Sequence, residues 1–195
     1  MSPRTAQQNQ TLREERRTEI LESALVLFAR FGYERTSVRM IAQEAGISQG
    51  LMYNYFAGKE ELLRALFLRG MEDVQHAFAS AEETAEPRQR LEQIIRTSFA
   101  LVQQNMRYWQ LFYGVRMQPT VVAGLAEEIQ AGAEAIRQTF EAHFRNLRAD
   151  NPAIQAALLF ALIDGVAQQY TLDPAGYPLE AVISEVIATF CSTDT

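Results

Sequence analysis

The sequence predicts an all-α protein in which an N-terminal helix-turn-helix unit of three helices precedes a larger helical domain. Apolar residues recur at helical spacing, and no segment shows the alternating β-branched pattern with hairpin turns that indicates strands. Glycine and proline, which interrupt helices, divide the 195 residues into about nine helical segments. The 48% apolar content is enough for a sizeable core.

The first predicted helix runs from Leu12 to Phe31 and ends at Gly32. Its apolar face predicts a buried stripe, because these residues recur every three or four positions: Ile20, Ala24, Leu27, Phe28 and Phe31. Residues 1–12 are mostly polar and are predicted to form a flexible arm.

Two short helices, at 37–45 and 49–55, are predicted on either side of a turn at Gly46, which favours the positive φ that a sharp turn needs. Thr36 or Ser37 is expected to cap the first helix, and Ser48 the second. The small Ala42 would allow the helices to cross closely. The predicted buried seam consists of Ile41, Ala45, Ile47 and Met52. A longer helix, 59–81, follows.

Four prolines mark predicted starts of later helices, because proline is tolerated in a first helical turn but not in a helix interior. The expected later helices are 87–105, 107–116, 119–147, 152–170 and 178–191. The resulting domains are 13–70, with the helix-turn-helix at about 36–55, and 71–195.

The distribution of charge separates these two domains. The chain carries a net charge of −6, yet residues 1–70 are at +2 and residues 71–195 at −8. Only the N-terminal third is therefore suited to approach phosphate. In particular, the basic residues Arg4, Arg13, Arg16 and Arg17 could contact a DNA backbone, whereas simple fraying is the alternative for the arm.

The composition argues against several other classes of protein. Cys191 is the only cysteine, so an intrachain disulfide is excluded, and His76 and His143 show no metal-ligand spacing. We expect no metal and no cofactor. The apolar runs are too short to span a membrane, and the polar start lacks a signal peptide, so a cytoplasmic protein without membrane contact is expected.

The second short helix and its neighbour carry side chains that can read DNA. Arg39 can pair with guanine or phosphate, Gln49 and Asn54 with base edges, and Leu51 with a thymine methyl group. A helical hairpin inside an ordinary bundle is the alternative. DNA binding is favoured because two aromatic and two amide side chains would otherwise be exposed without purpose.

Residues 48–63, SQGLMYNYFAGKEELL, and the preceding FARFGYERTSVRMIAQEAGIS closely resemble the signature of the TetR family (TetR/AcrR type) of transcriptional regulators. The resemblance spans about residues 14–66; the remainder resembles the family only in length and helical character. It implies that the sugar-phosphate backbone is contacted by Ser37, Ser48, Tyr53, Tyr55 and Lys59. It implies that bases are faced by Arg39, Gln49, Gly50, Leu51 and Asn54. Thr36, which begins the motif, completes this candidate set.

Four positions depart from the usual pattern of the family. Gln49, Leu51 and Asn54 replace its common residues, which predicts an operator particular to this protein. Gly58 replaces a frequent serine and weakens a helix cap, because glycine has no side-chain acceptor.

The resemblance also implies a homodimer through the last two helices. The first of these is nearly uncharged between Ala153 and Gly165, and the second carries a stripe made of Val182, Ile183, Val186, Ile187 and Phe190. Packing within one chain is the alternative for both helices.

The middle helices are rich in large apolar and aromatic side chains that could line an effector pocket with a few polar groups. The candidate effector-binding residues are Phe99, Gln103, Met106, Trp109, Phe112, Tyr113, Met117, Phe140, His143, Phe144, Asp164 and Gln168. Ordinary core packing is the alternative for the aromatic ones. Asp164 has three readings: it orients a ligand, it pairs with Arg96, Arg107 or Arg116, or it contacts the second subunit.

The resulting hypothesis is a homodimeric repressor that binds a palindromic double-stranded operator and is released by a small, largely apolar effector. Its two reading helices would enter successive major grooves about 34–36 Å apart, and the effector would move the helix that starts at Lys59. A helical ligand-binding or interaction module without DNA binding is the alternative. An enzyme using His76 or His143 as base is not expected, because no nucleophile motif or phosphate loop accompanies them.

Overall fold

The computed structural model describes residues 6–81 and 86–191, and these residues form helices without a strand. The predicted all-α class is confirmed. The helices are α1 (Ala6–Phe31), α2 (Val38–Glu44), α3 (Gln49–Met52), α4 (Lys59–Ala81), α5 (Pro87–Gln104), α6 (Met106–Arg116), α7 (Pro119–Ala123), α8 (Ala126–Asn146), α9 (Pro152–Leu172) and α10 (Leu179–Cys191).

Helix α1 begins at Ala6, whereas the sequence predicted a start at Leu12. Residues 6–12, predicted as part of a flexible arm, are helical wherever the structure describes them. Their polarity misled the prediction, because alanine, glutamine and leucine are good helix formers and can extend an anchored helix into solvent. Arg4 lies outside the described residues.

The single helix predicted over 119–147 is wrong, because the chain breaks between α7 and α8. The amide groups of Gly124 and Leu125 donate to the carbonyl groups of Val121 and Val122, three residues back, which tightens the backbone into a turn. The side chain of Leu125 is buried at this break. The described residues therefore contain ten helices instead of about nine.

Helices α1 to α4, here called the N-terminal bundle, share one apolar core. The predicted seam residues Ile41 and Met52 are fully buried there, beside Ile20 and Phe28 of α1. This core also includes residues of α6, α7 and the break after it: Leu111, Val115, Val121 and Leu125. The predicted boundary at residues 70 and 71 falls inside α4, so a continuous helix joins the bundle to the rest of the chain.

Helices α5, α8, α9 and α10 build a second core, here called the C-terminal body, with α8 packed extensively along α9. Pro87, Pro119 and Pro152 each stand in the first turn of a helix, as predicted, and α10 begins one residue after Pro178. Across the described ranges no helix is long and apolar enough to cross a membrane. The same ranges contain no group of three side chains placed to hold a metal ion.

Candidate nucleic-acid interface and central cavity

Two serine caps begin α2 and α3, and one glycine forms the turn between these helices. The Ser37 hydroxyl accepts a hydrogen bond from the amide of Met40 at 3.2 Å, and the Ser48 hydroxyl accepts one from the amide of Leu51 at 3.1 Å. Both caps satisfy amide groups that a helix start leaves without an intrahelical partner. Gly46 adopts a φ of +66°, which confirms the predicted left-handed turn.

The predicted reading surface is largely exposed, as a surface that meets DNA must be. The exposed members are Ser37, Arg39, Ser48, Gln49, Gly50, Leu51, Tyr53 and Asn54. Leu51 is 40% exposed and Tyr53 is 50% exposed, although both are large and partly apolar. Exposed apolar area of this kind typically marks a binding surface. Tyr55 is half-buried.

The prediction that Thr36 belongs to the DNA-binding surface is wrong, because its side chain faces the protein interior. The residue is 1% exposed, and its hydroxyl donates to the carbonyl of Gly32 at 2.8 Å, with the carbonyl of Leu27 at 3.2 Å. A buried hydroxyl engaged by backbone carbonyls has no access to DNA. Ser37 caps α2 instead.

Lys59 has a structural role that the sequence did not reveal. Its ammonium group donates to the carbonyl groups of Tyr33 and Glu34, at 3.0 and 3.3 Å, and lies 4.4 Å from the centre of the Tyr33 ring. It therefore ties the start of α4 to the turn after α1, and combines two hydrogen bonds with a cation–π contact.

Two arginines of α1 flank the reading helix. The Arg13 guanidinium donates to the carbonyl of Asn54 at 3.4 Å and lies 5.8 Å from the centre of the Tyr55 ring. Arg17 lies 4.7 Å from the centre of the Phe56 ring. Arg16 instead pairs with Glu19 at 2.6 Å. The surface beside α3 thus gains positive charge from a different helix.

A central cavity of about 290 Å³ lies between α4, α5, α6, α8 and α9. Most of its wall is apolar, and its charged members are Arg116, Arg137 and Asp164. The apolar and neutral members are Phe67, Met71, Val74, Phe78, Ser98, Leu101, Val102, Trp109, Phe112, Tyr113, Ile129, Ala133, Ile136, Phe140, Phe160, Ile163 and Ala167. This composition is that of a small-molecule site.

Five of the twelve predicted effector residues line the cavity: Trp109, Phe112, Tyr113, Phe140 and Asp164. The other seven do not line it. Phe99, His143 and Phe144 are buried in the body, Gln103 and Met117 are exposed, and Met106 and Gln168 are half-buried elsewhere. For Phe99 and Phe144 the alternative of plain core packing is correct, because both belong to the core of the C-terminal body.

Asp164 pairs with Arg116, which confirms one of its three readings. Nη1 of Arg116 donates to both carboxylate oxygens, at 2.7 and 2.9 Å, and the Tyr113 hydroxyl donates to Oδ1 at 3.3 Å. Burial, and then the Asp164 charge, raise the pKa of Tyr113 far above its ordinary value. Arg96 is engaged by Glu92 at 2.8 Å instead. The pair lies in the cavity wall, so Asp164 also faces the cavity.

Sequence reasoning missed the wall that α4 contributes and, apart from Phe140, the wall that α8 contributes. Phe67, Met71, Val74 and Phe78 follow one face of α4. Ile129, Ala133, Ile136 and Phe140 recur at helical spacing along α8, a signal present in the sequence.

The last two helices differ in what they expose. Helix α9 presents an uncharged face to solvent: Ala153, Ile154, Ala157, Leu158, Ala161 and Leu162. On α10 the predicted interface stripe is wrong for Ile183 and Val186, which are 4% exposed and lie in the chain's own core. The exposed face of α10 carries residues such as Ala181, Ser184 and Ala188.

Comparison with known families assigns both parts of the chain. The model of the TetR family of bacterial regulatory proteins matches residues 20–66. The model of the BetI-type transcriptional repressor C-terminal domain matches residues 87–192, more than half of the chain.

Individual relatives agree with these matches. The repressor KstR2 of Mycobacterium tuberculosis is 40% identical over 92 residues, which is 46% of this chain and only 46% of that repressor. The regulator BetI of Burkholderia ambifaria is 29% identical over 175 residues, covering 87% of this chain and 88% of that protein.

Solved structures share the fold at low sequence identity. The fatty acid degradation regulator FadR of Bacillus halodurans has a TM-score of 0.78 at 18% identity, covering 91% of this chain and 95% of that one. FadR of Bacillus subtilis, solved in complex with stearoyl-CoA, has a TM-score of 0.76 at 20% identity, covering 91% and 99%.

Proposed function

The chain belongs to the TetR family of bacterial transcriptional regulators, and we propose that it is a homodimeric repressor released from its operator by a small, largely apolar effector. The exposed reading surface formed by α2, α3 and the residues beside them is the observation that carries the proposal. Residues 13–70 would bind DNA, and residues 71–195 would dimerise and bind the effector. Since it acts on the chromosome, we propose a cytoplasmic location. The relatives are regulators, so the expectation that this chain is not an enzyme is confirmed by membership of the family.

The proposed DNA contacts divide into two groups. Arg39, Gln49 and Asn54 offer donors and acceptors to base edges, while the Leu51 side chain suits a thymine methyl group. Phosphates would be held by the hydroxyls of Ser37, Ser48 and Tyr53, with Arg13 and Arg17 adding positive charge. The ammonium of Lys59 already binds two carbonyl groups, and we propose that its remaining donor faces phosphate.

A homodimer through α9 and α10 would place two reading helices on one operator. The exposed face of α9 contains Ile154, Leu158 and Leu162, which are 60%, 52% and 42% exposed. A contiguous apolar face of this size on a soluble domain is typical of an interface. Twofold symmetry of such a dimer predicts a palindromic operator with half-sites one helical turn apart or a multiple of it.

Helix α6 offers a physical route from effector to DNA, because its two faces belong to different cores. Trp109, Phe112 and Tyr113 line the cavity, whereas Leu111 and Val115 pack in the core of the N-terminal bundle. On α4, Arg64 binds the carbonyl of Gly124 and the carboxylate of Glu128, both at 2.8 Å. A ligand that displaces α6 would therefore shift the bundle, provided it binds the displaced form more tightly.

The proposal is tested by electrophoretic mobility shift on the DNA that flanks the gene. We expect a specific complex, which Gln49→Ala weakens by about 1–3 kcal/mol while its non-specific binding stays unchanged. Arg145→Ala, in the last turn of α8 and outside the reading surface, serves as the control and should leave the complex intact. Absence of any specific complex at moderate salt would refute the repressor and favour a helical ligand-binding module without DNA binding.

A further inference from the structure

We infer that the effector is an anionic amphipathic molecule, with an elongated apolar part in the central cavity and a carboxylate or phosphate group held by Arg137 and Arg116. The inference rests on the proposed function, since it assigns a ligand class to the cavity that would receive the effector. It depends on how the two guanidinium groups are placed and on which hydrogen-bonding atoms are already engaged.

The two arginines lie on the same wall of the cavity. The Arg137 guanidinium, from α8, lies 5.8 Å from the centre of the Phe160 ring, and Arg116, from α6, binds Asp164. Phe160 and Asp164 are four positions apart on α9, which separates them by about one helical turn, or roughly 6 Å. Both guanidinium groups therefore border the cavity beside the same stretch of α9.

The wall has unused donors and engaged acceptors. The described hydrogen bonds of Arg116 come from Nη1 alone, and those of Arg137 from Nη2 alone. Every nitrogen of a guanidinium group carries donors and none accepts. Both oxygens of Asp164, by contrast, already accept bonds from Arg116, and Oδ1 also accepts one from Tyr113. A ligand that accepts hydrogen bonds fits this wall better than one that donates them.

The balance of charge favours the same class of ligand. Two guanidinium groups but one carboxylate line the cavity. The partner of Arg137, Glu134, lies outside the lining on the solvent side of α8, where its side chain is 49% exposed. The Arg116 and Arg137 side chains are each 39% exposed, so they stand where the cavity meets solvent. An anion bound there would form ion pairs with the guanidinium groups and would still keep part of its contact with water.

The apolar part of the ligand has room to extend away from the arginines. A second hollow of about 280 Å³, between α4 and α8, shares Met71, Val74, Phe78 and Ile136 with the central cavity and contains neither arginine. Met71 is flexible and unbranched, and such a side chain yields easily to a ligand. A chain that enters with its anionic end at Arg137 can thus continue past Met71.

The test is a fluorescence titration of this chain, in the assembly it forms in solution, without DNA. Trp109 is the only tryptophan and lines the cavity, so its emission reports binding directly. The probes share one chain and differ in the end group: decanoate, decyl phosphate, decanol and decyltrimethylammonium. We expect decanoate or decyl phosphate to bind at least about tenfold more tightly than decanol, and the cation to bind least. The first two probes distinguish a carboxylate ligand from a phosphate ligand.

Arg137→Gln should weaken binding of the preferred anion about ten- to a hundredfold and leave decanol unchanged. Arg137→Lys should recover part of the loss, because it restores the charge without the planar fork. Arg145→Gln removes another arginine that pairs one turn back on α8, with Glu141, and should change neither probe. Circular dichroism would verify the fold of each variant.

Three results would overturn the inference: equal binding of decanoate, decyl phosphate and decanol, tighter binding of the cation, or no saturable binding of either anion. None of these results depends on DNA. A protein that binds its operator normally but fails this titration refutes the ligand class alone, whereas loss of specific DNA binding refutes the proposed function.

Discussion

The Tyr108 ring of α6 lies directly against the backbone of Gly70 on α4. A Cβ atom built at Gly70 would stand 2.0 Å from Cζ of Tyr108 and 2.2 Å from its hydroxyl oxygen. The same hydroxyl reaches the carbonyl of Phe67 at 3.5 Å, and burial raises the pKa of Tyr108 above its ordinary value. Glycine at this position lets α4 and α6 approach each other closely.

Gly70→Ala should therefore lower the free energy of unfolding, although alanine is normally the better helix former. Overpacking of this kind costs about 1–3 kcal/mol, and the Tyr108 ring must move to relieve it. Chemical denaturation measures the change. Gly114→Ala is the matched control on α6, since nothing lies within 4 Å of its added Cβ, and it should stabilise by up to about 1 kcal/mol. Equal effects of the two substitutions would contradict the close contact.

The two cap serines should differ in their effect on DNA binding. Ser37→Ala and Ser48→Ala each remove one capping bond, at a cost of about 0.5–2 kcal/mol in unfolding free energy. Helix α3 has only four residues, so loss of the Ser48 cap should weaken operator binding more strongly. Ser23→Ala is the control, because that hydroxyl bonds a carbonyl inside α1. Thermal unfolding and DNA titration separate stability from affinity.

Alkaline pH should destabilise the N-terminal bundle through Tyr33. Burial, and then the nearby Glu60 carboxylate, raise the pKa of Tyr33 from 10.0 to about 12. The folded state therefore disfavours the tyrosinate, and the associated stability is complete below pH 10 and is lost as the pH rises towards 12. Tyr33→Phe should flatten the fall in unfolding free energy across this interval. Tyr53→Phe, which alters an exposed ring, is the control, and an equally steep fall in Tyr33→Phe would contradict the assignment.

A charge at the centre of the exposed face of α9 should dissociate the proposed dimer. Leu158→Glu would bury two carboxylates of like charge near the twofold axis without partners, which is strongly unfavourable. We expect a monomer at micromolar concentration in sedimentation velocity, together with loss of specific operator binding. Leu68→Glu, at an exposed leucine of α4, should remain dimeric. A dimer that persists in Leu158→Glu would place the interface elsewhere.

Most of the helices and the turn between α2 and α3 were predictable because they depend on local signals. Gly46 and Ser48 have roles that follow from backbone geometry and capping, and these need no tertiary information. The prediction that Thr36 contacts DNA was wrong for the opposite reason. The turn of the chain after α1 brings the hydroxyl of Thr36 to two backbone carbonyl groups. The two carbonyl contacts of Lys59 were also not predictable from local signals, since these partners lie 25 and 26 residues away in sequence.

The cavity was only partly predictable, since its wall requires knowledge of which helix faces meet. Aromatic content marked Trp109 and Phe112, which line the cavity, but it equally marked Phe144, which packs against Phe190 with ring centres 5.8 Å apart. No feature of the sequence indicated that Arg137 lines the cavity, because its ion pair with Glu134 resembles an ordinary exposed pair on a helix.

The core that α6 and α7 share with the N-terminal bundle limits how this protein can be recombined. Leu111, Val115, Val121 and Leu125 supply part of the packing of the bundle although they lie 30 or more residues beyond its last residue, Ala81. A chimera that transplants only residues 13–70 onto another effector domain would expose the apolar surface of the bundle that these four residues cover. A functional chimera must also keep the residues of α6 and α7 that cover this surface. The segment that can be exchanged between such regulators is therefore larger than the DNA-binding domain itself.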